Sequence, residues 1–263
     1  MSIVCGALTS RLIGEDLPYR AILPDGYPDS SRKYPVLYLL HGLFGSFENW
    51  TELTGVADLV ERQNLIVVTP EGRDGWYVDS RTAANNRFES YIVEELIPGV
   101  EREFRIDGRR EARAIAGNSM GGYGAIKFGL KYPSLFAFAG SFSGAFEAPH
   151  LSGGHPGESW DEFEPSIITA FGPEDSSVRH DNDLFSLIDG LSARDVESLP
   201  EIYMDCGAGD QFLEVNRQLS DAMAKKGIRH EFRELAGGHD WDYWDSRVRH
   251  LLEKLSQLPD FLS

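Results

Sequence analysis

A serine placed between two glycines stands at the centre of the chemistry that this sequence can perform. Ser119 lies midway between Gly117 and Gly121. The apolar segment over 112–116 predicts a strand that leads into it, and the segment over 122–130 predicts a helix that follows. At such a turn the serine backbone is strained, glycines relieve the crowding, and the hydroxyl stands clear of the sheet. The pattern therefore predicts a nucleophile elbow for covalent catalysis.

Candidates for activating this serine lie towards the end of the chain. A serine hydroxyl is a poor nucleophile until a base removes its proton, and that base is usually a histidine held by a carboxylate. Of the seven histidines, only His239 lies in a glycine-rich loop between a predicted strand and the final predicted helix. Asp210 lies in the loop after a late predicted strand, whereas Asp205 lies within that strand. We therefore expect Ser119, Asp210 and His239 to form a catalytic triad.

Acyl transfer also needs backbone N–H groups that stabilise an oxyanion. The Met120 N–H comes directly after the serine and lies at the start of a helix, where the helix dipole favours negative charge. The second donor should come from the loop over 41–45, which follows a predicted buried strand. Because Gly42 lets the backbone approach closely, we expect the Leu43 N–H to be that donor.

The elements that must bring these groups together alternate between strands and helices. The first two strands are joined by a short turn and predict an antiparallel hairpin, while several later strands are apolar on both faces, which is typical of the buried middle of a sheet. Strands are predicted over 3–13, 17–23, 35–40, 65–69, 112–116, 135–142, 201–207 and 229–235, and helices over 56–63, 87–104 with an interruption near 98–99, 122–130, 184–196, 212–226 and 241–257. The alternation predicts an α/β fold with a mostly parallel central sheet, helices on both faces and a single domain over 1–263.

Residues 144–183 interrupt this alternation. The segment contains three prolines in its first part, several glycines and many acidic residues, and strands and helices resume after it. A long segment of this kind in a compact domain is often a lid or a substrate-binding loop, and a surface insertion without a role is the alternative. His150, His155 and His180 lie here, so we leave a substrate-binding role open for them.

Segments spread over nearly the whole chain resemble the putative-esterase branch of the α/β-hydrolases. That branch includes S-formylglutathione hydrolases, tributyrin-type esterases, family-one carbohydrate esterases and the related mycolyltransferases. The resembling segments are 39–42, 76–79, 94–98, 117–124, 206–210 and 238–241.

The resemblance implies an α/β-hydrolase fold, the triad named above and hydrolysis of carboxylic or thiol esters without a cofactor. It also implies Leu43 and Met120 as the oxyanion donors. Aromatic side chains supply apolar contact area in ligand pockets, so Trp76, Tyr77 and Trp241 are candidates for substrate contact. Packing in the core is the alternative for the first two.

We therefore expect a serine esterase that acts through an acyl-enzyme on Ser119. Its substrate would be a small-molecule or saccharide ester, with a short acyl chain or an acetyl or feruloyl group linked to carbohydrate. The alternatives are a thioesterase of the S-formylglutathione type, an acyltransferase of the mycolyltransferase type and a non-catalytic binding protein.

The composition excludes several other classes. The formal net charge is −17, with 42 acidic and 25 basic residues, which disfavours binding to nucleic acid or to an anionic membrane surface. No run approaches the ~18 apolar residues of a membrane helix, and no histidine pair has metal-ligand spacing.

We expect Cys5 and Cys206 to be free thiols. Because no signal peptide is visible, we expect a cytoplasmic protein, or a secreted one if a leader was trimmed.

Overall fold

The computed structural model describes residues 2–61, 63–151, 163–258 and 261, and a central sheet organises them. Its eight strands are β1 (Ser2–Thr9), β2 (Asp16–Leu23), β3 (Val36–Leu40), β4 (Ile66–Pro70), β5 (Arg113–Asn118), β6 (Phe138–Phe142), β7 (Glu201–Gly207) and β8 (His230–Leu235). Their spatial order is β1-β2-β4-β3-β5-β6-β7-β8. The β1–β2 and β2–β4 pairs are antiparallel, and every other pair is parallel. The predicted sheet and its N-terminal hairpin are confirmed.

Helices surround the sheet. They are α1 (Asn49–Leu53), α2 (Val56–Glu61), α3 (Phe88–Ser90), α4 (Ile97–Glu103), α5 (Met120–Lys131), α6 (Glu164–Phe171), α7 (Ser177–Asp181), α8 (Leu184–Gly190), α9 (Ala193–Ser198), α10 (Leu213–Lys226) and α11 (Trp241–Leu255). Among the described residues, no helix is both long enough and apolar enough to cross a bilayer.

Two hydrophobic cores lie on the two faces of the sheet. Successive side chains of a strand point to opposite faces, and β3 divides its side chains accordingly. Tyr38 and Leu40 pack into one core together with residues of α5, whereas Leu37 and Leu39 pack into the other together with residues of α11. Every residue of β3, β4, β5 and β6 is buried, which accounts for the predominance of apolar residues in these strands.

Two helices of the structure differ from those that the sequence predicts. The helix predicted over 87–104 has no break at Pro98; instead a π-helical segment, Tyr91–Leu96, joins α3 to α4. Proline lacks an N–H and its ring crowds the preceding turn, and the wider turn before Pro98 accommodates it. The single helix predicted over 184–196 is wrong, because Ser192 caps a separate helix through a capping box with Asp195.

The 144–183 segment contains secondary structure of its own. A 3₁₀ turn, Ala148–His150, follows β6, and α6 and α7 lie further along. Residues 152–162, which lie between the 3₁₀ turn and α6 in the sequence, are outside the described residues. His155, a predicted candidate for substrate binding, is among them. His150 pairs with Asp183 at 2.9 Å, so its imidazole is engaged at the start of α8.

Candidate active site

The predicted elbow is present between β5 and α5. Ser119 has φ +53° and ψ −116°, a conformation that non-glycine residues rarely adopt and that costs about 1–3 kcal/mol. Its N–H donates to the Phe142 carbonyl at 2.9 Å, and its own carbonyl accepts from the Tyr123 N–H at 3.0 Å. The backbone on both sides therefore holds the strained turn in place.

The glycines on either side of Ser119 are required by close backbone contacts. A Cβ atom at Gly117 would lie 2.6 Å from the carbonyl carbon of Gly121 and 2.7 Å from the Leu40 oxygen. A Cβ atom at Gly121 would overlap the same Leu40 oxygen. The elbow thus packs directly against the end of β3, and glycine is needed at both positions.

The structure brings the three predicted triad residues together. The Ser119 Oγ lies 3.1 Å from Nε2 of His239, and Nδ1 of the same ring lies 3.0 Å from an Asp210 carboxylate oxygen. A carboxylate only accepts hydrogen bonds, so Nδ1 carries the proton and Nε2 is left to accept from the serine hydroxyl. This arrangement can remove the serine proton and stabilise the charged imidazole that results.

The surroundings of Asp210 favour its charged form. Burial raises the pKa of this carboxyl, but its hydrogen bond and charge interaction with His239 and the Phe212 N–H, 2.8 Å from Oδ1, outweigh burial and lower the pKa. The Asp210 side chain is fully buried, whereas the imidazole keeps an exposed edge. The carboxylate therefore remains negative while the imidazole stays accessible from the cavity.

A buried carboxylate, Asp205, supports the histidine loop. Its two oxygens accept hydrogen bonds from the hydroxyls of Tyr203 and Tyr243, both at 2.8 Å. The Tyr243 ring packs against Gly237, whose carbonyl accepts from the Gly209 N–H at 2.9 Å. This chain of contacts joins the loop that carries His239 to the loop that carries Asp210.

The two predicted oxyanion donors lie beside the serine. Met120 is the first residue of α5, so its N–H has no partner within that helix. Within the described part of the chain, the Leu43 N–H has no acceptor, and Leu43 lines the cavity above Ser119. A Cβ atom at Gly42 would lie 3.3 Å from the serine Cβ. The backbone of this loop therefore approaches the serine closely, as the glycine predicts.

His41 holds this loop through both of its ring nitrogens. Its Nδ1 lies 2.7 Å from the Gly42 carbonyl and its Nε2 accepts from the Gly72 N–H at 2.9 Å. The side chain is buried, with both ring nitrogens engaged. It joins the predicted oxyanion loop to the segment that follows β4.

A cavity of about 310 Å³ opens at the serine, and its walls are largely aromatic. The aromatic lining residues are Phe44, Trp76, Phe163, Phe212, Trp241 and Trp244. Of the residues predicted as substrate contacts, Trp76 and Trp241 line this cavity. Tyr77 does not: it is fully buried, and its hydroxyl donates to the His41 carbonyl at 3.0 Å. It supports the loop instead of lining the cavity.

Four of these aromatic residues were not predicted. Trp244 lies one helical turn after Trp241, and Phe212 lies two residues after Asp210. Their closeness in sequence to predicted site residues could have identified them. Both rings pack edge-on against His239, each at 4.9 Å between centroids. Phe44 and Phe163 come from distant parts of the chain, and only the tertiary fold brings them to the cavity.

Cationic side chains are absent from the described lining of this cavity, which contains neither lysine nor arginine. The segment 152–162, which connects the lining residues Leu151 and Phe163, contains no lysine or arginine in its sequence either, but three acidic residues. The cavity therefore suits an uncharged ligand better than an anion. Among the described residues, no group of three or more potential metal ligands occurs.

Comparison with known proteins gives consistent matches. A family model described as "Putative esterase" matches residues 10–255. An acetyl esterase of Caldicellulosiruptor saccharolyticus is 31% identical over 260 residues, covering 95% of this chain and 97% of that protein. An S-formylglutathione hydrolase of Paracoccus denitrificans is 28% identical, covering 89% and 85%. The solved structure of FphF, a fluorophosphonate-binding serine hydrolase of Staphylococcus aureus, has a TM-score of 0.86 at 27% identity, covering 96% and 97%.

Proposed function

Because this chain belongs to the esterase family described as "Putative esterase", we propose that it hydrolyses small, uncharged carboxylic esters through an acyl-enzyme on Ser119. The observation that carries the proposal is the continuous hydrogen-bonded path from Asp210 through His239 to the serine hydroxyl. The small aromatic cavity and the similarity to an acetyl esterase favour a substrate with a short acyl chain.

In this mechanism, His239 takes the proton of Ser119 as the oxygen attacks the ester carbonyl. The N–H groups of Leu43 and Met120 stabilise the oxyanion of the tetrahedral intermediate. The imidazolium then donates its proton to the leaving alcohol, and the acyl group remains on the serine. Water, activated by the same imidazole, hydrolyses the acyl-enzyme and regenerates the free serine. Asp210 holds the ring in the required tautomer throughout.

A thioesterase acting on S-formylglutathione is the second candidate, and its support is the similarity to the Paracoccus denitrificans enzyme. Glutathione carries two carboxylates, and the described lining of the cavity offers no lysine or arginine to bind them. We therefore favour the uncharged ester. We expect a higher kcat/KM for ethyl acetate than for S-formylglutathione, and the reverse order would contradict this choice.

Product analysis of reactions that contain added glycerol distinguishes hydrolysis from acyl transfer.

Substitution of Ser119 by alanine tests the proposal. We expect the wild type to hydrolyse p-nitrophenyl acetate and to be labelled covalently by a fluorophosphonate, and the Ser119→Ala variant to lose the labelling and at least about 10³-fold of kcat. Ser177→Ala is the matched control, since this serine is exposed on α7. Near-normal turnover by a folded Ser119→Ala variant would refute the mechanism.

A further inference from the structure

A completely buried lysine belongs to the helix that follows the elbow. Lys127 lies on α5, and its ammonium donates to the Tyr77 carbonyl, to a Glu89 carboxylate oxygen at 2.7 Å and to Asn182 Oδ1 at 3.2 Å. An ammonium has three N–H groups, so each of them has one acceptor. Removing a charge from water is costly, and an apolar side chain of similar size would fill the same space. Packing alone therefore does not account for this lysine.

The charged form of Lys127 is the one that fits these contacts. Burial lowers its pKa to about 8, while the charge of Glu89 acts in the opposite direction. At pH 7 the side chain is therefore an ammonium with all three protons. Glu89 also contacts Lys131 at 2.5 Å and accepts from the Tyr132 hydroxyl at 2.7 Å. The carboxylate thus has other partners, whereas the ammonium adds a contact to the backbone of Tyr77.

That backbone contact is made to a strained turn. Trp76 and Tyr77 both have φ +53°, a conformation that persists only where the surroundings hold it. The Tyr77 ring fits closely between two glycines. A Cβ atom at Gly72 would lie 2.5 Å from the ring, and one at Gly124 would lie 2.7 Å from it. The ring and the carbonyl of Tyr77 are therefore both fixed.

The hydroxyl of Tyr77 reaches the loop over 41–45. It donates to the His41 carbonyl at 3.0 Å. The next carbonyl, that of Gly42, lies 2.7 Å from His41 Nδ1 and accepts from the Gly45 N–H at 3.1 Å. A trans peptide points its C=O and its N–H in opposite directions, so the Leu43 N–H of the same peptide points away from these groups. The direction of this N–H therefore depends on how the loop is held.

We propose that Lys127 and Tyr77 are positioning residues for ester hydrolysis: the ammonium fixes the strained turn, and the phenol hydroxyl fixes the loop that carries the Leu43 N–H. The proposal rests on the proposed esterase function and adds to it two residues that act through the oxyanion donor. Both side chains are fully buried and lie outside the cavity lining, so they do not touch the substrate. Removing either one should weaken stabilisation of the oxyanion and leave ground-state binding unchanged.

The Tyr77→Phe variant tests the hydroxyl contact with a minimal change. Acylation and deacylation both pass through an oxyanion, so we expect kcat for p-nitrophenyl acetate at pH 7 to fall about tenfold or more while KM stays within about twofold. The fall is smaller than the roughly 10²–10³ for a deleted donor, because the N–H is misdirected rather than removed.

Inhibition by trifluoroacetone gives a readout that a merely structural role would not change. The oxygen of Ser119 adds to the ketone carbon, the serine proton passes to His239, and the carbonyl electrons become an oxyanion at the same donors. The inhibition constant should rise by the same factor as kcat falls, since both report stabilisation of this oxyanion.

The Lys127→Met variant tests the other end of the unit. Methionine is similar in length, and Glu89 keeps its contacts with Lys131 and Tyr132. We expect the same fall in kcat and the same rise in the inhibition constant. Because Lys127 and Tyr77 act through one turn, the double variant should lose no more than about twofold beyond the larger single loss.

The Tyr19→Phe variant is the matched control. This tyrosine is buried on β2, outside the catalytic cavity, and its hydroxyl donates to Glu103. The variant loses a buried hydroxyl contact as Tyr77→Phe does, but kcat and the inhibition constant should stay within about twofold of the wild type even if the melting temperature falls.

The outcomes separate this proposal from the proposed function. An active wild type whose kcat changes less than twofold in Tyr77→Phe overturns the positioning role and leaves the esterase function intact. A fall in kcat without the matching rise in the inhibition constant, or losses that multiply in the double variant, also overturns it. If Lys127→Met does not fold, the Tyr77→Phe result decides. A folded wild type that hydrolyses no ester overturns both proposals.

Discussion

Replacement of the buried carboxylate Asp205 by asparagine should change how stability depends on pH. Burial raises the pKa of this carboxyl from 3.8 to about 7, although the hydrogen bonds from Tyr203 and Tyr243 act in the opposite direction. Between these two values the folded protein holds a proton on Asp205 and the unfolded chain does not. The free energy of unfolding therefore falls by about 1.4 kcal/mol per pH unit as pH rises through this range.

The size of the effect follows from the two pKa values. Between pH 5 and pH 8 the wild type should lose about 2–3 kcal/mol through Asp205. The Asp205→Asn variant lacks this loss, because an amide does not titrate and each tyrosine hydroxyl can either donate or accept. The free energy of unfolding of the variant, relative to the wild type, should therefore rise by about 2–3 kcal/mol over this range. Glu147, whose pKa burial also raises to about 7, is present in both proteins and cancels.

Urea unfolding followed by tryptophan fluorescence at several pH values between 5 and 8 measures this difference. Asp221→Asn is the matched control, since this aspartate is exposed on α10 and is solvated in both states. A difference between wild type and Asp205→Asn that stays constant within about 0.5 kcal/mol would refute the reasoning. It would mean that Asp205 is ionised in the folded protein at every pH tested.

Two further substitutions test the catalytic geometry. Asp210→Asn should lower kcat for p-nitrophenyl acetate by about 10⁴ with little change in KM, because an amide no longer holds His239 in the required tautomer; a loss below tenfold, measured by steady-state kinetics, would contradict this role. Gly121→Ala should destabilise the fold by at least about 2 kcal/mol, since the new Cβ would overlap the Leu40 carbonyl oxygen. Gly190→Ala is its control, because a Cβ there meets nothing within 4 Å, and equal melting temperatures for the two variants would count against the close packing.

The local sequence predicted those features that depend on near neighbours along the chain. The glycines around Ser119 predicted the elbow because backbone crowding at that turn admits no side chains at those positions. The apolar runs predicted buried strands because both faces of a central strand meet helices. The order of Ser119, Asp210 and His239 predicted a triad, and the fold places the three side chains within hydrogen-bonding distance.

The tertiary structure decided which side chains face the cavity. Trp76 and Tyr77 are adjacent and equally aromatic, and both have φ +53°. The indole lines the cavity, whereas the phenol is buried with its hydroxyl on the His41 carbonyl. Periodicity cannot separate them, because neither lies in a helix or a strand where side-chain direction follows a regular repeat.

The same limit applies to groups that meet only after folding. The pairing of Asp205 with Tyr243 joins residues 38 positions apart, and nothing in either local sequence indicates it. Phe44 and Phe163 stack across the cavity rim although they come from distant segments. Local sequence sets backbone geometry and the alternation of elements through short-range sterics and hydrophobic periodicity. The shape and polarity of the site depend on side chains from remote segments, and only the folded chain places these beside one another.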